Sequence, residues 1–303
     1  MLLNEAILQY LRYCELEKNY SPNTIINREH HLRYFLDWFK NRPISKIKIK
    51  TINDYREFLM NWHNTYKPNT IIVQETREEK IKTIRLLLKW ADLQGMKVLK
   101  PYKIESTGNK QRRLFFLNAE QINLLLSQPN LKLRQGKRDR AILEIFISTG
   151  LRLHEMAKLN RADINFKTGE FTITGKGNRV RICFLSKRAL FWLNNYLETR
   201  NDDYPALFTY FRKHFKWLER NNGRMLKRPI YEIVKKYAKL AGLDNRICAH
   251  TLRHSFATLL LQNGANLKEV QELMGHKEIR STEIYLHLTN PNLREAHKKY
   301  LHF

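Results

Sequence analysis

The segment AHTLRHSFATLLLQNGANLKEVQELMG, residues 249–275, constrains this chain more than any other. Leu252, Phe256, Leu259 and Leu260 recur at helical spacing, which predicts an amphipathic helix over residues 250–262 that ends near Asn263 and Gly264. A second helix over residues 267–274 stops at Gly275. His250 and Arg253 lie one turn apart beside the apolar stripe of the first helix. His276 follows the second helix, and Tyr285 comes after Ser281 and Thr282, which can cap a short third one. Two imidazoles, a guanidinium and a phenol around one packed helical unit point to something anionic among them. With an ordinary pKa near ~10, the phenol needs an electrophile gripped by cations and a base nearby before it can attack at neutral pH.

The charge balance points the same way. Lysine and arginine total 55 against 29 acidic residues, a formal charge of +26 in 303 residues, and this favours nucleic acid over a membrane surface as partner. No run approaches the ~20 apolar residues of a membrane span, and charges come too early at the N-terminus for a secretory signal. Cys14, Cys183 and Cys248 form no C-x-x-C pair, so neither a disulfide framework nor a zinc ribbon is expected, and a cytoplasmic location fits.

The length suits two domains. Residues 1–96 read as a helical bundle: Ile7, Tyr10, Leu11 and Cys14 mark a first helix, and Ile25, Leu32, Phe35, Leu36 and Phe39 a second. Ile52, Tyr55, Phe58, Leu59 and Trp62 mark a third, and Ile81, Ile84, Leu87, Leu88 and Ala91 a fourth, closed by Gly95. PNTII occurs at residues 22–26 and 68–72 and reads as two helix starts with Asn or Thr as cap, not as a duplication. Residues 97–113 lose periodicity and read as a basic linker able to follow a phosphate backbone.

Residues 114–303 form the second domain, with helices predicted over 118–126, 138–148, 188–199 and 230–241. After Gly150, Arg152 starts another helix with Glu155 three residues on. Its N-terminus would offer free N–H groups as an anion site. ADINFKTGEFTITGKGNRVRICFL alternates with period two and predicts a three-strand antiparallel meander, with Phe171, Ile173, Val180, Ile182 and Phe184 on one face. Lys176 stands at the tip of its second turn. Residues 208–228 interleave aromatic and basic side chains, either to meet DNA or as a basic helix docked on the domain. The fold class is therefore mainly α with a small antiparallel β-meander.

H-x-x-R at His250 and Arg253, G-H at Gly275 and His276, Tyr285 nine residues beyond that histidine, and G-L-R-x-x-E from Gly150 to Glu155 resemble the tyrosine recombinase and integrase family. The resemblance implies an N-terminal, SAM-like core-binding bundle followed by an α/β catalytic domain, together clamping a duplex. It implies a site-specific recombinase that joins a tyrosine to a DNA 3' phosphate and works as a tetramer on paired sites in double-stranded DNA, from a free monomer. By the same resemblance Arg152 and Arg253 clamp the scissile phosphate, and His276 adds a hydrogen bond. Lys176 protonates the departing 5' oxygen, His250 accepts the proton of Tyr285, and Tyr285 is the nucleophile. The helix expected near Leu293, Ala296, Tyr300 and Leu301 would dock on a neighbouring protomer.

No cofactor is expected: the chain has no P-loop pattern and no carboxylate cluster for magnesium. His250 and His254 have the spacing of a zinc helix, but Thr251 stands where the glutamate would be and Arg253 repels a cation. His254 reads instead as a supporting or core histidine. Two rivals stand beside it: a catalytically silent DNA-binding protein on the same scaffold, and a type IB topoisomerase, which shares the chemistry without sequence-specific synapsis. The missing room for an arm-binding domain favours a Xer-like or simple mobile-element enzyme, while the target sequence stays unread.

Overall fold

Apolar residues at helical spacing pack the chain into two units, residues 1–112 and 113–303. The computed structural model describes residues 1–62, 72–105, 115–175, 180–211, 222–275 and 282.

The first unit contains α1 (Leu3–Leu16), α2 (Pro22–Phe39), α3 (Ile49–Asn61) and α4 (Gln74–Leu93). Leu3, Ile7 and Tyr10 of α1 meet Leu32 and Phe35 of α2, Ile52, Tyr55 and Leu59 of α3, and Ile84, Leu87 and Leu88 of α4 in one core. Phe35 stacks on Phe39 at 5.4 Å between ring centroids and meets Tyr55 edge-on at 4.9 Å. The cap of α2 is Ser21 rather than Asn23 or Thr24, because Pro22 has the fixed φ suited to the first helical position. The second PNTII run falls outside the described residues except for Ile72. Phe58, expected in the stripe of α3, is exposed at its edge. Beyond Gly95 the chain keeps contact with this unit: Met96, Val98 and Leu99 pack on its core, and Ile104 is buried in it.

Among the described residues, Lys80 and Thr83 place polar groups deep in this unit. Lys80 is 3% exposed, with Nζ 3.8 Å from the centroid of the Tyr34 ring. Burial lowers its pKa to about 8. Thr83 donates its hydroxyl to the Glu79 carbonyl at 2.7 Å, so the His31 Nδ1–H is the donor in the 3.1 Å bond to Thr83 Oγ1. Burial first, then the charge of Lys80, lowers the His31 pKa to about 4.

The second unit is built on α6 (Arg134–Thr149), whose Ala141, Ile142, Leu143, Ile145 and Phe146 are all buried. Such all-round burial marks a central helix. Around it lie α5 (Ala119–Ser127), α7 (Leu153–Lys158), the hairpin of β1 (Glu170–Thr174) and β2 (Val180–Phe184), α8 (Lys187–Leu197), α9 (Lys227–Leu240), α10 (Ala249–Gln262) and α11 (Leu267–Met274). The α6 helix starts a turn earlier than expected. Gly136 permits this: a Cβ there would fall 1.8 Å from the Asn130 carbonyl oxygen.

The hairpin corrects the sequence reading twice. Among the described residues the sheet has two strands, and the segment expected as a third contributes one bridge, Ile164 to Phe171. The register pairs Phe171 with Cys183 and Ile173 with Arg181. Directly opposed residues share a face, so Arg181 and Cys183 are buried while Val180, Ile182 and Phe184 are exposed. The expected apolar face was wrong for β2, because Arg181 finds a buried partner described below.

Candidate active site

The α6 helix ends at Gly150, which has a positive φ of 59°. A Cβ there would fall 2.4 Å from Cδ1 of Phe256 on α10, so the helix end and α10 touch through the missing side chain. One turn before Phe256, Arg253 is 2% exposed and donates through Nη1 to the Gly150 carbonyl and through Nη2 to that of Met274. Both carbonyls belong to helix ends left without intrahelical donors. One guanidinium thus fastens the turn before Arg152 to the turn before His276.

Arg152 caps α7. Its backbone N–H donates to Glu155 Oε2 at 2.8 Å, and its Nη1 to Oε1 at 3.1 Å. The cap N–H of this six-residue helix is therefore taken by its own Glu155 carboxylate. Glu155 is also gripped by the fork of Arg181, Nη1 to Oε1 at 3.0 Å and Nη2 to Oε2 at 2.7 Å. Burial pushes this carboxyl up; the Arg181 hydrogen bonds, the Arg152 N–H and both positive charges outweigh it and hold it at about 2. The Arg152 and Glu155 pair is thus no surface ion pair: Glu155 is 2% exposed, while the Arg152 side chain keeps 31% of its surface open.

His250 is the exposed residue in the otherwise buried first turn of α10. Its pKa is lowered by partial desolvation and then by the charges of Arg253 and Arg152, which places both guanidinium groups within electrostatic reach of it. The His254 ring meets it edge-on at 4.3 Å. Burial, then His250 and Arg253, lowers the His254 pKa to about 4, so both imidazoles are neutral at pH 7 and able to accept a proton.

Of the six residues singled out in the sequence, Arg152, His250 and Arg253 come together here. Lys176, His276 and Tyr285 lie outside the described residues, as does the C-terminal helix expected beyond residue 291. Two described glycines adjoin them: Gly175 after β1 and Gly275, with φ of 61°, closing α11. Thr282, between them and Tyr285 in sequence, is buried. The basic aromatic segment is described only at its ends, and these dock on the domain: Phe208 and Met225 are in its core, and the guanidinium carbon of Arg138 lies 5.2 Å from the Phe211 centroid. Sequence reasoning missed Arg181. A basic residue alternating with apolar ones in a strand looks solvent-facing until its partner is known.

Residues 115–291 match the phage integrase family, and residues 7–95 match the phage integrase N-terminal SAM-like domain. The chain belongs to the phage integrase family. Within it, the tyrosine recombinase XerD of Listeria innocua is 33% identical over 301 residues, covering 98% of this chain and 99% of that one. XerD of Staphylococcus epidermidis is 29% identical over 299 residues, with 98% and 99% covered. Among solved structures, the Tn1549 transposon integrase in complex with a circular intermediate DNA aligns with a TM-score of 0.75 at 20% identity, covering 99% of this chain and all of that one. That likeness shows the fold, a helical SAM-like domain followed by the catalytic domain of tyrosine recombinases.

Proposed function

We propose that the protein is a site-specific DNA recombinase that cuts and rejoins strands through a 3'-phosphotyrosine intermediate. The observation that carries the reading is the convergence of Arg152, Arg253 and neutral His250 on the turn after Gly150, in a member of a family whose relatives are tyrosine recombinases.

In this reading the Tyr285 oxygen forms a bond to the scissile phosphorus and gives its proton to His250. The bond from phosphorus to the 5' oxygen breaks, and Lys176 protonates that oxygen. Arg152 and Arg253 offset the charge that builds on the non-bridging oxygens, and His276 adds a hydrogen bond. The reaction exchanges one phosphate ester for another, so a 5' hydroxyl from a second strand can reverse it without a nucleotide. The bundle within residues 1–96 and the catalytic domain within 114–303 would clamp the duplex, with the basic residues 97–113 along the backbone. The tail would exchange between protomers of a tetramer on paired sites. Deleting residues 292–303 should then abolish synapsis and spare single-site binding.

A nicked duplex carrying a site selected for binding from random DNA tests the reading. The protein should form a covalent adduct with it, lost in Tyr285→Phe. No adduct leaves a DNA-binding protein, and an adduct with relaxation of supercoils but no strand exchange makes it a topoisomerase.

A further inference from the structure

Arg181 is 9% exposed on the inward face of β2, opposite Ile173. It holds both oxygens of Glu155, at 3.0 and 2.7 Å. The same two oxygens hold Arg152, by side chain at 3.1 Å and by backbone at 2.8 Å. On its other side, the Cβ that Gly275 lacks would fall 2.8 Å from Cδ of Arg181 and 3.2 Å from Nη1, so the turn leading into His276 lies directly on this side chain.

We infer that Arg181 is a positioning residue of the DNA-cleaving site: it fixes Glu155 so that Arg152 stays turned outward, and it seats the turn that precedes His276. The inference rests on the proposed recombinase function. Its physical basis is competition for one carboxylate. With Arg181 in place, each oxygen of Glu155 accepts one bond from Arg181 and one from Arg152, and Arg152 keeps its remaining donors for a phosphate. Without the fork, the buried carboxylate either draws the Arg152 guanidinium fully onto itself or takes up a proton, because burial favours its neutral form. Either outcome moves the one described guanidinium that is both in the site and open to solvent. Simple stitching of β2 to α7 would instead cost stability and leave the chemistry of the folded protein unchanged.

The test uses the full-length protein with the nicked duplex. Adduct formation is followed under single-turnover conditions from pH 5 to 9, alongside gel-shift binding and thermal unfolding. Arg181→Lys keeps the charge without the fork. It should bind DNA within about twofold of the parent and form adduct about tenfold more slowly, as expected for a misplaced catalytic contact. Arg181→Met should be about 100-fold slower and lose further rate on the acid side as Glu155 protonates, beyond the loss that protonation of His250 gives the parent. Adding Glu155→Gln to Arg181→Met should recover part of the rate, because Arg152 is no longer captured.

An unchanged adduct rate in Arg181→Lys overturns the inference, and this variant decides the matter if Arg181→Met does not fold. Equal losses in Arg181→Met and the double variant, with no added loss on the acid side, also overturn it and leave a structural role. Failure of the parent to form any adduct is a different result and removes the functional reading itself.

Discussion

Arg253 donates to the carbonyl of Gly150, 103 residues earlier in the chain and two before Arg152. The same guanidinium reaches the Met274 carbonyl, so the side chain read from sequence as a phosphate clamp is also a backbone tie between two helix ends. The roles of Arg152 and Arg253 should therefore separate in stability measurements.

Replacing Arg253 by Lys removes the fork and leaves a buried carbonyl unpaired, which should cost about 1–3 kcal/mol. Arg152→Lys, at a side chain that is 31% exposed, should change stability by less than about 1 kcal/mol. Urea denaturation of both variants checks the contrast, and equal losses would contradict it.

Gly150→Ala combines a left-handed φ of 59° with a Cβ 2.4 Å from the Phe256 ring. The expected loss is at least about 2 kcal/mol, from backbone strain plus overpacking. Shrinking the ring with Phe256→Leu in the same chain should recover the steric part only, so the double variant should lose less than the sum of the two single losses. Additive losses would show that the contact does not govern.

Lys80 carries a net penalty for its charge, since burial brings its pKa down to about 8 despite the Tyr34 ring beneath it. A pKa lowered on folding means the folded state resists the proton. The penalty is full below pH ~8 and fades as pH rises through the unfolded value near ~10.4. Lys80→Met should accordingly stabilise the protein at pH 7 by about 1–3 kcal/mol, with the gain shrinking toward pH ~10.4. A stability loss at pH 7 would mean that the aromatic contact outweighs desolvation.

His31 and His254 are both held neutral, at about 4. The unfolded chain binds their protons more readily, so their neutral burial supports the fold fully above pH ~6.5 and that support is lost as pH falls toward about 4. Melting temperatures should fall across this window, and less steeply in His31→Gln and His254→Gln. Identical slopes in parent and variants would refute the assignment.

The parts of this fold that could be read from residues are those where one local period decides. Residues 267–274 with Gly275 behind them appear in the structure with the expected bounds, because an apolar stripe and a left-handed cap act within a single element. The β2 face could not be read that way. Val180, Ile182 and Phe184 outscore Arg181 and Cys183 as core residues, and only the position of Glu155, supplied by α7, makes the inward arginine favourable. Local pattern likewise identified Arg152 and Glu155 but carried nothing about the burial of Glu155, since Arg181, which grips it, comes from distant sequence. Arg253 belonged to the candidate set from its motif alone, while its hold on Gly150 and Met274 depends on two helix ends meeting in space.

Ile104 is 2% exposed in the core of the first unit, nine residues beyond the glycine that closes α4. A fragment cut back to Gly95 would open that apolar seat to water and be prone to clump. A fragment made to ask whether the first unit binds DNA by itself should therefore run through Glu105.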